Sequence, residues 1–198
     1  GASWKSRKTL IEIVEKVSRV IFIPLCAGGG VKSLSDIKEL LRAGADKVSI
    51  CTAALENPSL LREASLAFGS QSVVLSIDAG RAGQGWHAFM KGGRIDSGLE
   101  VVDWARKGIE LGAGEILLNS IDRDGTKEGY DLELLRTISD KVSVPVIASG
   151  GAGRLEDIYE AINTGQADAV LLASLLHFGQ LTIPEIKNYL KSKGVKVR

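Results

Sequence analysis

Apolar positions along the chain follow two alternating patterns. Short runs rich in β-branched residues lie at 20–27 (VIFIPLCA), 46–51 (DKVSIC), 72–77 (SVVLSI), 114–119 (GEILLN), 144–148 (VPVIA) and 167–172 (ADAVLL). Between them apolar residues recur every three or four positions: Leu34, Ile37 and Leu41; Leu61, Ala64 and Phe68; Leu132, Leu135 and Ile138; Leu155, Ile158 and Ile162. Leu10, Val14 and Val17 carry the same spacing ahead of the first run, over about 6–18. The runs predict strands, and the wider spacing predicts one buried face of a helix. Asn57-Pro58 reads as an N-cap before a first-turn proline, Asp131 as the cap of the helix it precedes, and Gly44 and Gly165 as helix ends. Such alternation predicts an α/β fold with a parallel sheet, and the nearly continuous apolar runs predict strands covered on both faces. The segment 83–97 (GQGWHAFMKGGRIDS) breaks the rhythm and predicts a small β-hairpin inserted after the third strand.

The chain also repeats itself. Residues 23–55 (IPLCAGGGVKSLSDIKELLRAGADKVSICTAAL) align with 144–176 (VPVIASGGAGRLEDIYEAINTGQADAVLLASLL). Pro24 meets Pro145, an offset of 121 residues, Gly29-Gly30 meets Gly150-Gly151, and Asp36 meets Asp157. One inserted residue, Gln166, then sets Asp46 on Asp168. A two-strand unit repeating at that distance implies four βα units per half, and so a duplicated (βα)8 TIM-barrel of about 240 residues. Six parallel strands are expected here, with the first βα unit and the second strand missing, so that 1–198 forms a single partial barrel domain. An open, doubly wound sheet is the rival architecture, but it leaves the four-unit offset unaccounted for.

Composition narrows the function classes. The 198 residues are 44% hydrophobic and 25% charged, an ordinary globular mixture that excludes disordered and collagen-like classes. A formal charge of +1 gives no footprint for nucleic acid and no basic stripe for a membrane surface. No apolar stretch approaches the ~18 residues of a spanning helix. Two cysteines, Cys26 and Cys51, form no CxxC pair and read as small buried hydrophobes. A reducing cytoplasmic setting is the expectation.

Barrels keep their chemistry at the C-terminal ends of the strands. There the chain has 23 glycines to draw on, grouped as Gly28–Gly30 after the first run and as Gly150-Gly151 after the fifth. A glycine loop after the penultimate strand, with Ala173-Ser174 opening a helix after the last, aims backbone N–H groups at one phosphate; a plain turn is the alternative. By the repeat, Gly28–Gly30 with Cys51-Thr52 occupy the same places in the first half. Two such sites suggest a substrate with a phosphate at each end. Asp78, at a strand tip between them, is a candidate general acid–base or else a loop hydrogen-bonder. Asp124, in 122–126 (DRDGT), is either a second such group or part of a turn. Lys47 and Glu115, at strand starts, read as an ion pair. His87 and His177 read as structural, and no His/Cys/Asp spacing resembles a metal site.

PLCAGGGVKSLSD, RAGADKVSI, FGSQSVVLSIDA, GAGEILLNSIDRDGTKEGYD, VPVIASGGAG and LLHFGQLTI resemble the cyclase-subunit family of imidazole glycerol phosphate synthase over essentially the whole chain. The resemblance implies the cyclase (lyase) step of histidine biosynthesis on a (βα)8 barrel, without metal or cofactor. In that step a bis-phosphorylated ribulosyl formimino aminoimidazole carboxamide nucleotide plus ammonia gives imidazole glycerol phosphate and aminoimidazole carboxamide ribotide. A glutaminase subunit in a heterodimer supplies the ammonia at the barrel bottom.

Carried over by position, Asp78 and Asp124 are the catalytic residues. Gly30, Ser49, Cys51, Thr52, Asn119, Gly125, Gly150, Gly151, Ala173 and Ser174 bind phosphate or substrate. Lys47 and Glu115 belong to the ammonia gate, and Asp46 to the glutaminase interface. Cys51 stands where the family has Asn, and Asn119 where Thr is common. The family's other catalytic Asp lies on the first strand, so the chain alone is expected to be inactive. SIDRDGTKEGYD and the HFG favour the cyclase over the sister isomerase, which acts on a related bis-phosphate in the same pathway. A reading from another class is a non-catalytic fragment that binds only phosphate or a glutaminase.

Overall fold

The computed structural model describes residues 4–197, so Gly1–Ser3 and Arg198 of the expected 1–198 domain lie outside the described residues. Helix α1 (Trp4–Ser18) leads into β1 (Cys26–Gly28), α2 (Leu34–Arg42), β2 (Lys47–Ile50), α3 (Thr52–Glu56), α4 (Ser59–Phe68) and β3 (Val73–Ala82). A ribbon of β4 (Gly85–Met90) and β5 (Ile95–Glu100) follows, then α5 (Val101–Glu110), β6 (Glu115–Ser120), α6 (Leu132–Ser139) and β7 (Val146–Ser149). The chain continues through α7 (Leu155–Asn163), β8 (Ala169–Val170), α8 (Ser174–His177) and α9 (Ile183–Ser192).

Six strands pair in parallel in the order β1-β2-β3-β6-β7-β8. The ribbon adds antiparallel to the far end of β3, with Asp78 opposite Phe89 and Ala82 opposite Gly85. Among the described residues β1 pairs with β2 alone and β8 with β7 alone, so the parallel strands form an open half-barrel. No helix among those residues is long and apolar enough to cross a membrane.

The helices arise where the apolar spacing places them, because each buries one stripe. Ile37 and Leu40 of α2, Leu61 and Ala64 of α4, and Leu135 and Ile138 of α6 all enter the main core. Asp131 caps α6, its Oδ1 accepting the Leu134 N–H at 3.0 Å. At α4 the capping position falls on Pro58 rather than Asn57.

The expectation of strands covered on both faces is corrected by the structure. One face is apolar and buried under the helices: Val48, Ile50, Leu75, Ile77, Ile116, Leu118, Val146 and Ala148. Lys47, Ser49, Ser76, Asp78, Glu115, Asn119 and Ser149 alternate with these and line the other face, half-buried. Charged and polar groups cost too much to bury without partners, so they occupy the face water still reaches. The alternation was present in KVSI and SIDA, while Leu117 interrupts it in EILLNS.

The outer strands are shorter than their apolar runs. Val20, Phe22 and Ile23 are 71%, 101% and 72% exposed, and pairing begins only at Cys26, opposite Lys47. Pro24 has no N–H to give to a ladder. Leu25 is already tied off, its N–H donating to Asp46 Oδ2 (2.7 Å) and its carbonyl accepting from the Asp46 and Lys47 N–H groups. The last run keeps only Ala169–Val170 as strand. The third lengthens to Ala82 because β4 takes over as partner. Cys26 is exposed and opens its strand, and Cys51 is half-buried, so neither is the buried hydrophobe expected of it.

The repeat is visible in three dimensions. Asp36 Oδ2 accepts the Lys32 and Ser33 N–H groups (2.7 and 3.1 Å), and Asp157 Oδ2 accepts those of Gly153 and Arg154 (2.8 and 3.0 Å). Asp46 holds Leu25 as described, and Asp168 Oδ2 holds the Val146 N–H at 2.9 Å. Each carboxylate closes the same joint in its own half.

Candidate functional site

The C-terminal strand ends gather most of the expected site residues along one rim of the half-barrel. Asp78 lies on β3, near the middle of the sheet, with β2 and β1 on one side and β6, β7 and β8 on the other. Its carboxylate is held at both oxygens. The Asn119 amide, opposite it on β6, donates to Oδ1 at 3.2 Å, and the Cys51 thiol, just beyond β2, donates to Oδ2 at 3.7 Å. Burial, and after it the Asp78 charge, push the Cys51 thiol up to about 11. A thiol so perturbed stays protonated at neutral pH and serves as a donor rather than a nucleophile.

On one flank, Gly28–Gly30 follow β1. Gly29 and Gly30 have φ of +98° and +69°, backbone that favours glycine, and both are exposed. Ser49 packs against Gly28 so closely that a Cβ there would stand 2.8 Å from the serine Cβ. Thr52 opens α3, but its Oγ1 accepts the Lys91 N–H at 2.9 Å and so ties the ribbon to the rim.

On the other flank the residues converge. Asp124, Gly125, Ser149, Gly150, Gly151, Ala173 and Ser174 line one cavity of 130 Å³. Gly150 and Gly151 have φ of +90° and +106°, and the Gly151 carbonyl accepts the Gly129 N–H at 2.8 Å. That bond fastens the loop after β6 to the loop after β7. Lys127 also lines this cavity and was not singled out from the sequence; its signal was its place in the DRDGTK loop. Asp124 reaches the cavity rather than Asp78's hydrogen-bonded group, its own N–H turning back to the Ser120 carbonyl (2.9 Å).

The ribbon braces this second loop. The Arg81 N–H donates to Asp122 Oδ2 (2.8 Å), and its guanidinium lies 4.3 Å over the Trp86 ring. Trp86 Nε1–H donates to Asp131 Oδ2 at 3.2 Å. His87 pairs with Asp96 on the ribbon, away from Asp78's hydrogen-bonded group.

At the opposite rim Lys47 Nζ and Glu115 Oε1 form a half-buried ion pair at the starts of β2 and β6. Beside it a groove of 380 Å³ runs between Ser18, Phe22, Ile23, Pro24 and Asp46. Asp46 therefore belongs to this end, but its carboxylate is occupied by Leu25, as Asp168's is by Val146. Among the described residues no group of three or more His, Cys, Asp or Glu is placed to hold a metal.

A family model described as "Histidine biosynthesis protein" matches residues 1–182. The HisF subunit of imidazole glycerol phosphate synthase from Dehalococcoides mccartyi is 55% identical over 198 residues, which is all of this chain and 78% of the relative. The corresponding subunit from Clostridium botulinum is 52% identical over 200 residues, covering all of this chain and 79% of the relative. With its two glycine loops, its central Asp78 and this likeness along its whole length, the chain belongs to the histidine-biosynthesis protein family, among the HisF subunits of imidazole glycerol phosphate synthase.

Proposed function

We propose that the chain performs the cyclase step of histidine biosynthesis. The reaction joins ammonia to the bis-phosphorylated formimino nucleotide, closes the imidazole ring of imidazole glycerol phosphate and releases aminoimidazole carboxamide ribotide. One observation carries the reading. Asp78 stands mid-sheet, flanked on each side by a glycine loop and a small-residue helix start related by the internal repeat. Gly30, Ser49 and Thr52 hold one phosphate; Gly150, Gly151, Ala173 and Ser174 hold the other through backbone N–H groups. With its ends fixed, the reacting middle of the substrate lies over Asp78, which moves protons as ring closure and C–N cleavage require. Asp124 and Gly125 close over it from the loop after β6.

The half-barrel is the larger part of a (βα)8 barrel, with the ribbon as an insertion on its functional rim. Lys47 and Glu115 are two members of a charged gate at the other end. Ammonia must pass that end neutral, and a paired ring controls both water and passage. The exposed Phe22 and Ile23, with Asp46 beside them, face the glutaminase subunit that releases the ammonia.

The test is turnover of the bis-phosphate with ammonium salt, with the first two strands supplied as a family N-terminal segment. Imidazole glycerol phosphate should form only when ammonium is present. Asp78→Asn should lower the rate by about 10²-fold or more, the usual weight of a general acid–base. Turnover that needs no ammonia would point to the isomerase, and normal turnover by Asp78→Asn would remove that residue from the chemistry.

A further inference from the structure

We infer that Cys51 and Asn119 are positioning residues for Asp78 rather than substrate contacts: between them they hold its carboxylate in one orientation. The inference rests on the cyclase reading for the importance of Asp78, and on geometry for the rest.

A carboxylate side chain turns freely about its last bond unless both oxygens are engaged. Here each oxygen has its own side-chain donor, and the donors arrive from opposite sides. Asn119 comes from β6, in register with Asp78, and gives Nδ2–H to Oδ1 at 3.2 Å. Cys51 comes from the end of β2 and gives its thiol to Oδ2 at 3.7 Å. Both are half-buried, as is Asp78, so water competes poorly for these bonds. Each oxygen keeps a further lone pair, and the carboxylate can still take a proton from a group above the rim. A Cys51 side chain turned to Asp78 is not turned to a phosphate. The same holds for the Asn119 amide, so any phosphate contact at position 51 falls to its backbone.

The charges around Cys51 are few enough to make the pair measurable. Asp78 is the charged group that acts on the thiol, and Thr52 adds a hydrogen bond. Lys91 of the ribbon approaches through its backbone N–H to Thr52, and Asp124 lies over the neighbouring cavity. Lys47 and Glu115 sit at the far ends of β2 and β6, where they act on Cys26 instead. The chain has only two cysteines, so Cys26→Ser leaves Cys51 as the single thiol.

The experiment follows the rate of Cys51 alkylation by iodoacetamide against pH in that background, with and without Asp78→Asn. The amide keeps an acceptor but removes the charge. If the pair exists, the midpoint falls from about 11 toward the ordinary thiol value, and alkylation at pH 8 speeds up about tenfold for each unit of the fall. An unchanged profile in a variant that melts like its parent would overturn the pairing. If Asp78→Asn does not fold, Asp78→Ser is used and read the same way.

Turnover, measured with the family N-terminal segment supplied as above, then separates positioning from binding. Cys51→Ala and Asn119→Ala should lower kcat with KM near the parent value, and Cys51→Ser, which keeps a donor, should recover most of kcat. A raised KM with kcat intact would place both side chains on the substrate and overturn the assignment. Failure of the cyclase reading would look different: no product in the parent, with the alkylation profile still shifted by Asp78→Asn.

Discussion

Replacing Gly151 by alanine should destabilise the protein far more than the same change at Gly29, although both sit in corresponding glycine loops. At Gly29 φ is +98° and a Cβ would meet nothing within 4 Å, so only the backbone cost applies, about 1–3 kcal/mol for a conformation L-residues rarely adopt. At Gly151 φ is +106° and the Cβ would also land well inside the contact distance of the Gly129 carbonyl oxygen, with that carbonyl's carbon at 2.9 Å. The neighbour is backbone, already bonded to Gly151 in the other direction, and cannot swing aside. Overpacking of that kind adds about 1–3 kcal/mol. Gly151→Ala should therefore lose about 2–6 kcal/mol in all and unfold at a urea concentration lower by roughly 1 M than Gly29→Ala. Urea titration followed by tryptophan fluorescence measures both. Equal losses at the two sites, or a neutral Gly151→Ala, would refute the steric reasoning. For the same reason, weakened phosphate binding in a Gly151 variant would report a distorted loop.

Two more outcomes are expected. A thiol held near 11 when folded and near 9 when unfolded favours the folded state fully below pH 9, and that advantage erodes as pH rises from 9 to 11, by about 2–3 kcal/mol in total. Cys51→Ala should flatten this part of the stability–pH curve. Tyr130, whose hydroxyl burial pushes upward, should keep a separate loss beginning at about pH 10 in both proteins. Lys47→Met, Glu115→Gln and the double variant should give a coupling energy of about 1–2 kcal/mol, above an exposed pair and below a fully buried one. A coupling near zero would show the pair to be an ordinary solvated contact.

The helices were legible because their evidence is local: Leu34, Ile37 and Leu41 need only each other's spacing to declare a buried face. The ends of the sheet were not. VIFIPLCA has every property of a strand except a partner: pairing starts at Cys26, and Phe22 stays fully exposed. Pairing is a long-range fact that a run of apolar residues cannot contain. The polar face of the sheet was legible but overlooked, since KVSI and SIDA alternate at period two. At the site, strand-end logic brought Asp78, Gly150, Gly151 and Ser174 to one rim. It could not tell which neighbour each side chain would choose. Cys51 and Thr52 were read as phosphate ligands through their backbone N–H groups, and nothing in that reading said that the Cys51 thiol would donate to Asp78 or the Thr52 hydroxyl accept from Lys91. Side-chain partners across strands depend on register, and register was not in the pattern.

The paired carboxylates Asp36 with Asp46, and Asp157 with Asp168, also bear on how such a chain finds its shape. Each ties down amides close to it in sequence: four residues away or fewer at Asp36 and Asp157, and about twenty at the others. Closing a loop of that size costs little chain entropy, so these joints form without waiting for distant strands to meet. Each half thus carries a local unit of one strand, one helix and the next strand, which is expected to form ahead of the full sheet. On hydrogen exchange the amides of Leu25 and Val146 are expected to mark where these two cooperative units begin, one near each edge of the sheet. A duplicated chain organised this way is expected to assemble from its two flanks toward β3 and β6, with the strand that carries Asp78 set between the two local units.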